Sequence, residues 1–232
     1  MKRGLTLVEL LALLFVLGLM IVLLLPATFT SHVNSWRAAC TNYQKQLCLE
    51  LMNYESSHKE FPGYKQDLAG NAASWVVMLL PYIDCNDLWS KWNAGTPEKE
   101  YLPVMVCPSD PSKITSPLDG PSSYVVNTKV CMDGKGLALD YISTKDGSAV
   151  TLLTGENLRI DKAHSWWDTD PIKVGFSTGK IADNLRSNHA GGAVVTFCDG
   201  HSAFFRDDIG ESVFNALVTP DGGEKLDESL VP

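Results

Sequence analysis

Residues 1–26 read MKRGLTLVELLALLFVLGLMIVLLLP, and this stretch decides the architecture. Lys2 and Arg3 precede an apolar run from Leu5 to Leu25 in which Glu9 is the one ionisable residue. Its 21 residues (5 through 25) meet the roughly 20 that a helix needs to cross a hydrocarbon core. A secretory signal peptide is the rival reading, but its apolar region runs about 7 to 15 residues and closes on a small-x-small cleavage site. Here the run closes on Leu23-Leu24-Leu25-Pro26. The next basic residue after Arg3 is Arg37, so the positive-inside bias leaves the N-terminus in the cytoplasm. The expectation is a single-pass protein of the inner (cytoplasmic) membrane, with everything past Pro26 on the periplasmic or extracytoplasmic side.

A bare carboxylate in a spanning helix is expensive, and such residues usually have a partner and a role. Glu9 either lies close enough to the headgroups to stay wet or meets a cation inside the membrane. A peptidase cutting after Gly4 would create such a cation, the new amino group of Leu5, which a neighbouring subunit could bring to Glu9. The residues Lys2-Arg3-Gly4, Leu5-Thr6-Leu7-Val8-Glu9 and the apolar run closely resemble the leader of type IV prepilins and pseudopilins. That resemblance implies a cut after Gly4 by prepilin peptidase, N-methylation of the new first residue, and a Glu at its fifth position, here Glu9. The usual first residue is Phe, and Leu5 departs from it.

The length of 232 residues allows one long helix and one head with a real core. A net charge of −8 and no Lys/Arg run after Arg3 leave no positive footprint for phosphate backbones. Nucleic acid is therefore not an expected partner. Beyond Pro26 the residues Phe29, Val33, Trp36, Cys40, Tyr43, Leu47, Leu51 and Tyr54 recur at spacings of three and four, the pattern of a helix with one buried stripe. From Leu5 to Ser56 such a helix would span roughly 75 to 80 Å, with Pro26 as a bend or break. Glu60-Phe61-Pro62-Gly63 marks a turn, and Ala73 to Trp92 reads as helix interrupted at Pro81. β-type runs follow at Val104–Cys107, Ser123–Thr128, Ala149–Thr154 and Lys173–Phe176. Ala193–Cys198 and His201–Phe205, joined by Asp199-Gly200, give a strong hairpin signal. A last helix is expected over Glu211–Val218.

The resulting expectation is an α+β fold: a long N-terminal transmembrane and assembly α-helix followed by a pilin-like head with an antiparallel sheet. Its segments are a cleavable leader at 1–4, the spanning and amphipathic helix at 5–57, the head at 58–220 and an acidic, mobile tail at 221–232. The segments QKQLCLELMNYESSHKEFPGY, SWVVMLLPYI, VCPSDP, SSYVVNT, LLTGEN and SNHAGGAVVTFCDG resemble a large bacterial prepilin-like family of unknown function. That family's C-terminal signature is His, nine residues, Asp-Gly, which falls on His189, Asp199 and Gly200. Where many members carry Asp-Gly-Thr-Ser-Asn-Thr, this chain has Asp146-Gly147-Ser148-Ala149-Val150-Thr151.

Several constellations admit a chemical reading beside a plain one. His189, His201 and Asp199 offer metal-ligand atoms, although a positive-φ turn at Asp199-Gly200, close approach at Gly191-Gly192 and a His189 hydrogen bond to a carbonyl explain them as well. Gly175-Phe176-Ser177-Thr178-Gly179 matches G-x-S-x-G, but the hydrolase elbow needs a parallel sheet and downstream acid and His partners. Asp168-Thr169-Asp170 could belong to a calcium loop or to a solvated turn. Trp89 and Trp92 read as core, whereas the adjacent Trp166 and Trp167 cannot easily both point inward and are the candidate contact surface. Six cysteines in an exported head permit fifteen full pairings. Cys40 and Cys48 lie roughly 12 Å apart along one helix, too far for a bond. The candidate disulfide joins Cys40, on the stripe that meets the head, to Cys107 of the Val-Cys-Pro-Ser-Asp turn, though sequence alone leaves connectivity open.

The reading favoured is a non-enzymatic pilin or pseudopilin subunit of a type IV pilus or type II secretion-like filament. Its expected partners are prepilin peptidase, like or related pilin subunits and the membrane, and no cofactor is implied. The alternative is a membrane-tethered exported head that binds or hydrolyses something and does not polymerise.

Overall fold

A computed structural model describes residues 6–110, 120–158 and 163–224, without the side chains of residues 23–34. The chain divides into two compact units, Met1–Ala38 and Ala39–Pro232. The first helix, α1 (Leu7–His58), takes in Pro26 and contributes to both units.

In the first unit α1 opens on a reciprocal cap. Glu9 Oε2 accepts from the Thr6 N–H at 2.8 Å and from Thr6 Oγ1 at 2.9 Å, while the Glu9 N–H donates to Thr6 Oγ1 at 3.3 Å. This T-x-x-E capping box satisfies N–H groups that have no partner inside the helix. The large apolar side chains from Leu7 to Val22 are exposed. Among the described residues, no helix is long and apolar enough to cross a membrane. Of the run read as spanning, Leu5 and the side chains after Val22 lie outside the described residues, as do the leader and the cleavage point at Gly4.

The second unit is built on a five-stranded sheet in the order β7-β4-β5-β8-β9. Its strands are β4 (Tyr124–Asn127), β5 (Leu152–Glu156), β7 (Gly175–Phe176), β8 (Gly192–Phe197) and β9 (Ser202–Arg206). All neighbours are antiparallel except β4 and β7. Every residue of β4, β5 and β8 is buried. Both sheet faces are covered, so these strands read as near-continuous apolar runs rather than alternating ones. On one face Tyr124, Val126, Leu153 and Cys198 join α1 residues Cys40, Leu47, Cys48, Leu51 and Tyr54. On the other, Val125, Leu152, Val195 and Phe197 pack with Phe214 and Leu217 of the last helix, α7 (Glu211–Val218).

Buried polar side chains tie α1 to the sheet and one strand of the sheet to the next. Gln44, fully buried, donates from Nε2 to the Val194 carbonyl at 2.8 Å and accepts from Thr154 Oγ1 at 3.2 Å. At the end of β5, one residue beyond the Gly155–Val195 pair, the Val194 N–H donates to Glu156 Oε2 at 2.9 Å. Side chains thus satisfy both backbone groups of Val194. Gly192 is required where β8 meets β9, because a Cβ there would run into the Phe205 carbonyl.

The remaining elements correct several expectations. Ala73 begins no helix: β1 (Lys65–Leu68) and β2 (Asn71–Ser74) form a hairpin whose turn places Ala69 and Gly70 at positive φ, 52° and 81°. Helix α2 (Trp75–Leu79) then starts on Ser74, whose side chain accepts from the Val77 N–H, and α3 (Asn86–Asn93) follows. Val104–Cys107 is no strand, since Pro103 opens a 3-10 turn over Pro103–Met105 that suits its fixed φ and missing N–H. A second small pairing joins β3 (Pro121–Ser122) to β6 (His164–Ser165). Short helices α4 (Leu139–Thr144), α5 (Pro171–Val174) and α6 (Ile181–Asn184) fill the connections. The expected mobile tail is partly pinned, for Asp146 accepts from the N–H groups of Gly222 and Gly223. Residues 225–232 lie outside the description.

Candidate functional site

The sequence order Cys107-Pro108-Ser109-Asp110 makes a tight turn, with Pro at its second position and the Asp110 N–H donating to the Cys107 carbonyl at 2.9 Å. The turn is held because the Cys107 N–H donates to Ser123 Oγ at 3.0 Å. It presents Cys107 to Cys40 on α1, and the two form a disulfide with Cα atoms 5.3 Å apart, within the usual span. Ser109 Oγ lies 3.0 Å from Cys107 Sγ and 3.9 Å from Cys40 Sγ.

Against this disulfide the fold sets two ionisable side chains. Glu156, the last residue of β5, is fully buried. Its Oε2 takes the Val194 N–H, while its Oε1 has no hydrogen-bond partner and faces His189 Nε2 at 3.5 Å. His189 Nε2 in turn lies 3.8 Å from Cys107 Sγ. The loop carrying His189 is fixed: its N–H donates to Ser187 Oγ at 2.9 Å, Ser187 Oγ donates to the Gly192 carbonyl at 2.6 Å, and Asn188 Nδ2 donates to the Ser109 carbonyl at 3.0 Å. Four ligand-type atoms, from Cys40, Cys107, Glu156 and His189, lie within 4.8 Å of one another, and all four residues are buried.

The signature residues therefore separate. The His189 ring faces a carboxylate and a sulfur rather than the expected carbonyl. His201 lies at the other end of the hairpin, where Asp199 Oδ1 accepts its N–H at 3.0 Å and meets its Nδ1 at 2.6 Å. Gly192 pairs with Arg206 at the open end and Thr196 with Ser202 at the turn, so roughly 15 Å of strand separates the two histidines. His189, His201 and Asp199 cannot share one ion. Gly200 has φ +95°, as a turn glycine should.

Asp168 and Asp170 belong to an ordinary turn. Asp170 Oδ1 caps α5 through the Ile172 N–H at 3.0 Å, and Asp168 Oδ1 accepts the Asp170 N–H at 3.1 Å. Ser177 follows β7, a two-residue edge strand whose single parallel neighbour is β4 in an otherwise antiparallel sheet, which is not the all-round parallel sheet of a hydrolase elbow.

Trp166 is not a contact surface. It is 1% exposed, its Nε1 donates to the Glu100 carbonyl at 2.7 Å, and its ring lies 6.2 Å from that of Trp92. The adjacent rings avoid facing the same way by meeting edge-on at 5.1 Å, and Trp167, half-buried, lies beneath Lys99 Nζ at 4.8 Å. Gly120, at φ +63°, leaves no room for a Cβ against either ring. Trp166→Ala should cost the head about 3–5 kcal/mol and Trp167→Ala about 1–2 kcal/mol in denaturant unfolding. A cost below about 1 kcal/mol for both would return both rings to the surface.

Among the described residues, Cys48, Cys85, Cys131 and Cys198 are free thiols. Burial pushes Cys48 up to about 11, opposed by a hydrogen bond from Thr196, and raises Cys131 and Cys198 as well. Such thiols hold their protons at neutral pH and are poor nucleophiles. Glu156 was not singled out from sequence. The available signal was a carboxylate ending the buried-strand run Leu152-Leu153-Thr154-Gly155-Glu156, where a charge without a partner would be costly.

Residues 35–144 match the model of a family described as a protein of unknown function (DUF1559). The matched segment contains QKQLCLELMNYESSHKEFPGY, SWVVMLLPYI and VCPSDP, and with them Cys40 and Cys107. The leader, Glu156 and the hairpin from His189 to Gly200 fall outside it. No curated protein and no solved structure shows a significant match to the chain.

Proposed function

We propose that the chain is a pilin-like or pseudopilin structural subunit, cut after Gly4 by prepilin peptidase, anchored through Leu5 to Leu25 and assembled with like subunits through that helix. The observation that carries this reading is the first turn of α1. A carboxylate is held at the head of a helix whose apolar side chains from Leu7 to Val22 are exposed. Such a surface needs lipid, other copies of itself, or both. The capping bonds from Thr6 fall on Glu9 Oε2, and a carboxylate has room for further donors on its other oxygen. A neighbouring Leu5 ammonium can therefore pair with Glu9 while the cap stays intact.

The head is read as structural rather than catalytic. Its converging ionisable groups, Glu156 and His189, are 0% and 7% exposed, so they lie beneath protein rather than at the foot of a cleft that a substrate enters. The reading places the chain in the inner membrane with its head outside the cytoplasm, and in filaments once assembled.

Intact-mass and N-terminal analysis of native protein tests the processing step. The expected mature chain begins at Leu5, with or without a methyl group on its amine. A start near Ala27 would establish a secretory signal peptide and remove the assembly helix.

A further inference from the structure

We propose that the reduced head holds a divalent metal ion of the zinc class between Cys40, Cys107, Glu156 and His189, and that the Cys40–Cys107 disulfide is the metal-free state of the same site. The four ligand atoms come from α1, the Cys107-Pro108-Ser109-Asp110 turn, the end of β5 and the loop before β8, yet they lie within 4.8 Å of one another. Tetrahedral zinc with bonds of about 2.0 Å to N and O and about 2.3 Å to S has ligand–ligand edges of about 3.3–3.8 Å. Two edges already have that length: His189 Nε2 to Glu156 Oε1 is 3.5 Å and Cys107 Sγ to His189 Nε2 is 3.8 Å.

Glu156 supplies the independent sign of a missing ligand. Its Oε1 is buried without a hydrogen bond, while the Val194 N–H fixes Oε2 and so turns Oε1 toward the centre. A buried carboxylate oxygen with no hydrogen bond and only an imidazole nitrogen 3.5 Å away is costly in a folded core, and a metal ion between the two would remove that cost. The surrounding groups are those that orient metal ligands. Ser109 Oγ reaches Cys107 Sγ at 3.0 Å and Cys40 Sγ at 3.9 Å, and Ser187 Oγ anchors the His189 backbone. Two thiolates, an imidazole and a carboxylate in a closed tetrahedral set favour zinc over magnesium or calcium.

The change of state balances. A dithiol reductant delivers two electrons and two protons to the Cys40–Cys107 bond, giving two thiols and closing to its own disulfide. A divalent ion then displaces the two thiol protons into solvent, and the sulfurs separate by about 1.7 Å to their zinc-bound spacing. A newly exported chain, still unoxidised, reaches the same dithiol state without any reductant. Oxidation by a disulfide donor removes two electrons, rejoins the sulfurs and releases the ion.

The test uses the full chain in detergent. One sample keeps its disulfide, and the other is fully reduced by a trialkylphosphine during mild unfolding, refolded without oxygen and checked by mass. Both are given Zn2+, desalted and assayed for metal. Retained zinc should be one per chain on the reduced protein and none on the oxidised one. Co2+ in place of Zn2+ should give tetrahedral visible bands and a near-ultraviolet sulfur-to-cobalt transition. Glu156→Gln and His189→Gln, judged folded if they still form the Cys40–Cys107 bond on oxidation, should each weaken zinc binding at least about tenfold. The proposal is overturned if the reduced wild type retains no zinc. It is equally overturned if Cys40→Ser/Cys107→Ser retains as much, which would assign the metal to Cys48, Cys131 or Cys198. The wild-type samples decide the question whether or not a variant folds.

Discussion

Chains carrying Glu9→Gln or Glu9→Leu should enter the membrane, be cut after Gly4 and be missing from filaments, with assembled material at least about tenfold below wild type. Under the proposed pairing, the drop follows from stranding the Leu5 ammonium of a neighbour in a low-dielectric bundle without its carboxylate. The two substitutions separate the roles of Glu9. In the folded chain its Oε2 caps the first turn of α1 through Thr6. Gln keeps a neutral oxygen for that cap and loses the charge, whereas Leu loses both and makes insertion easier. If capping were the whole role, Gln would assemble normally and Leu alone would fail. If α1 were only an anchor, both would behave as wild type. Quantifying subunit in separated membrane and filament fractions distinguishes the three cases, and wild-type amounts of Glu9→Gln in filaments would falsify the pairing mechanism.

Cys40→Ser/Cys107→Ser should destabilise the head by about 4 kcal/mol, the loop-closure value for a bond across a sequence separation of 67. For a unit of this size that corresponds to a melting temperature lower by about 10 °C. Melts should be run with a chelator present, so that no cation substitutes for the covalent bond. Phosphine reduction of wild type should give a similar shift, which separates loss of the crosslink from damage done by the serines. A change below about 2 °C in both experiments would mean that the packing of α1 on the sheet holds the loop closed without help.

Sequence reasoning reached the elements whose signals are local. Asp199-Gly200 between two apolar runs gave the β8–β9 hairpin, and the last helix expected over Glu211–Val218 is α7. Segments whose conformation depends on a partner were misread. Ala73 and Ser74 look helical beside Trp75-Val76-Val77, yet the positive-φ turn at Ala69-Gly70 folds them back onto Lys65 and Gln66 as a strand. Val104–Cys107 has strand composition, yet Pro103 and the need to bring Cys107 to Cys40 make it a turn. The stripe on α1 was legible at Cys40, Leu47, Leu51 and Tyr54, but Gln44 was not. Its burial follows from an unpaired strand carbonyl some 150 residues away in sequence, which no helical period encodes.

At the site, His189 could be found from its signature, while its true neighbours could not. Glu156 and the disulfide approach it from other strands and another helix, and such proximity is a property of the fold. Trp166 was misassigned for a related reason. Two adjacent aromatics outside regular structure can turn in the same general direction when the chain between them twists, and Gly120 clears the space in which they do so.

The disulfide also sets how the molecule carries mechanical load. Cys40 lies two residues past the division between the units at Ala38 and Ala39. A pull applied through the N-terminal half of α1 and resisted anywhere after residue 107 travels from Cys40 to Cys107 across a covalent bond. Residues 41–106, which hold the rest of α1, the β1–β2 hairpin, α2 and α3, are then bypassed and cannot be drawn out as slack. With the bond open, the same tension falls on the buried contacts of Gln44, Leu47 and Leu51, and up to 66 residues of chain (41 through 106) become extensible.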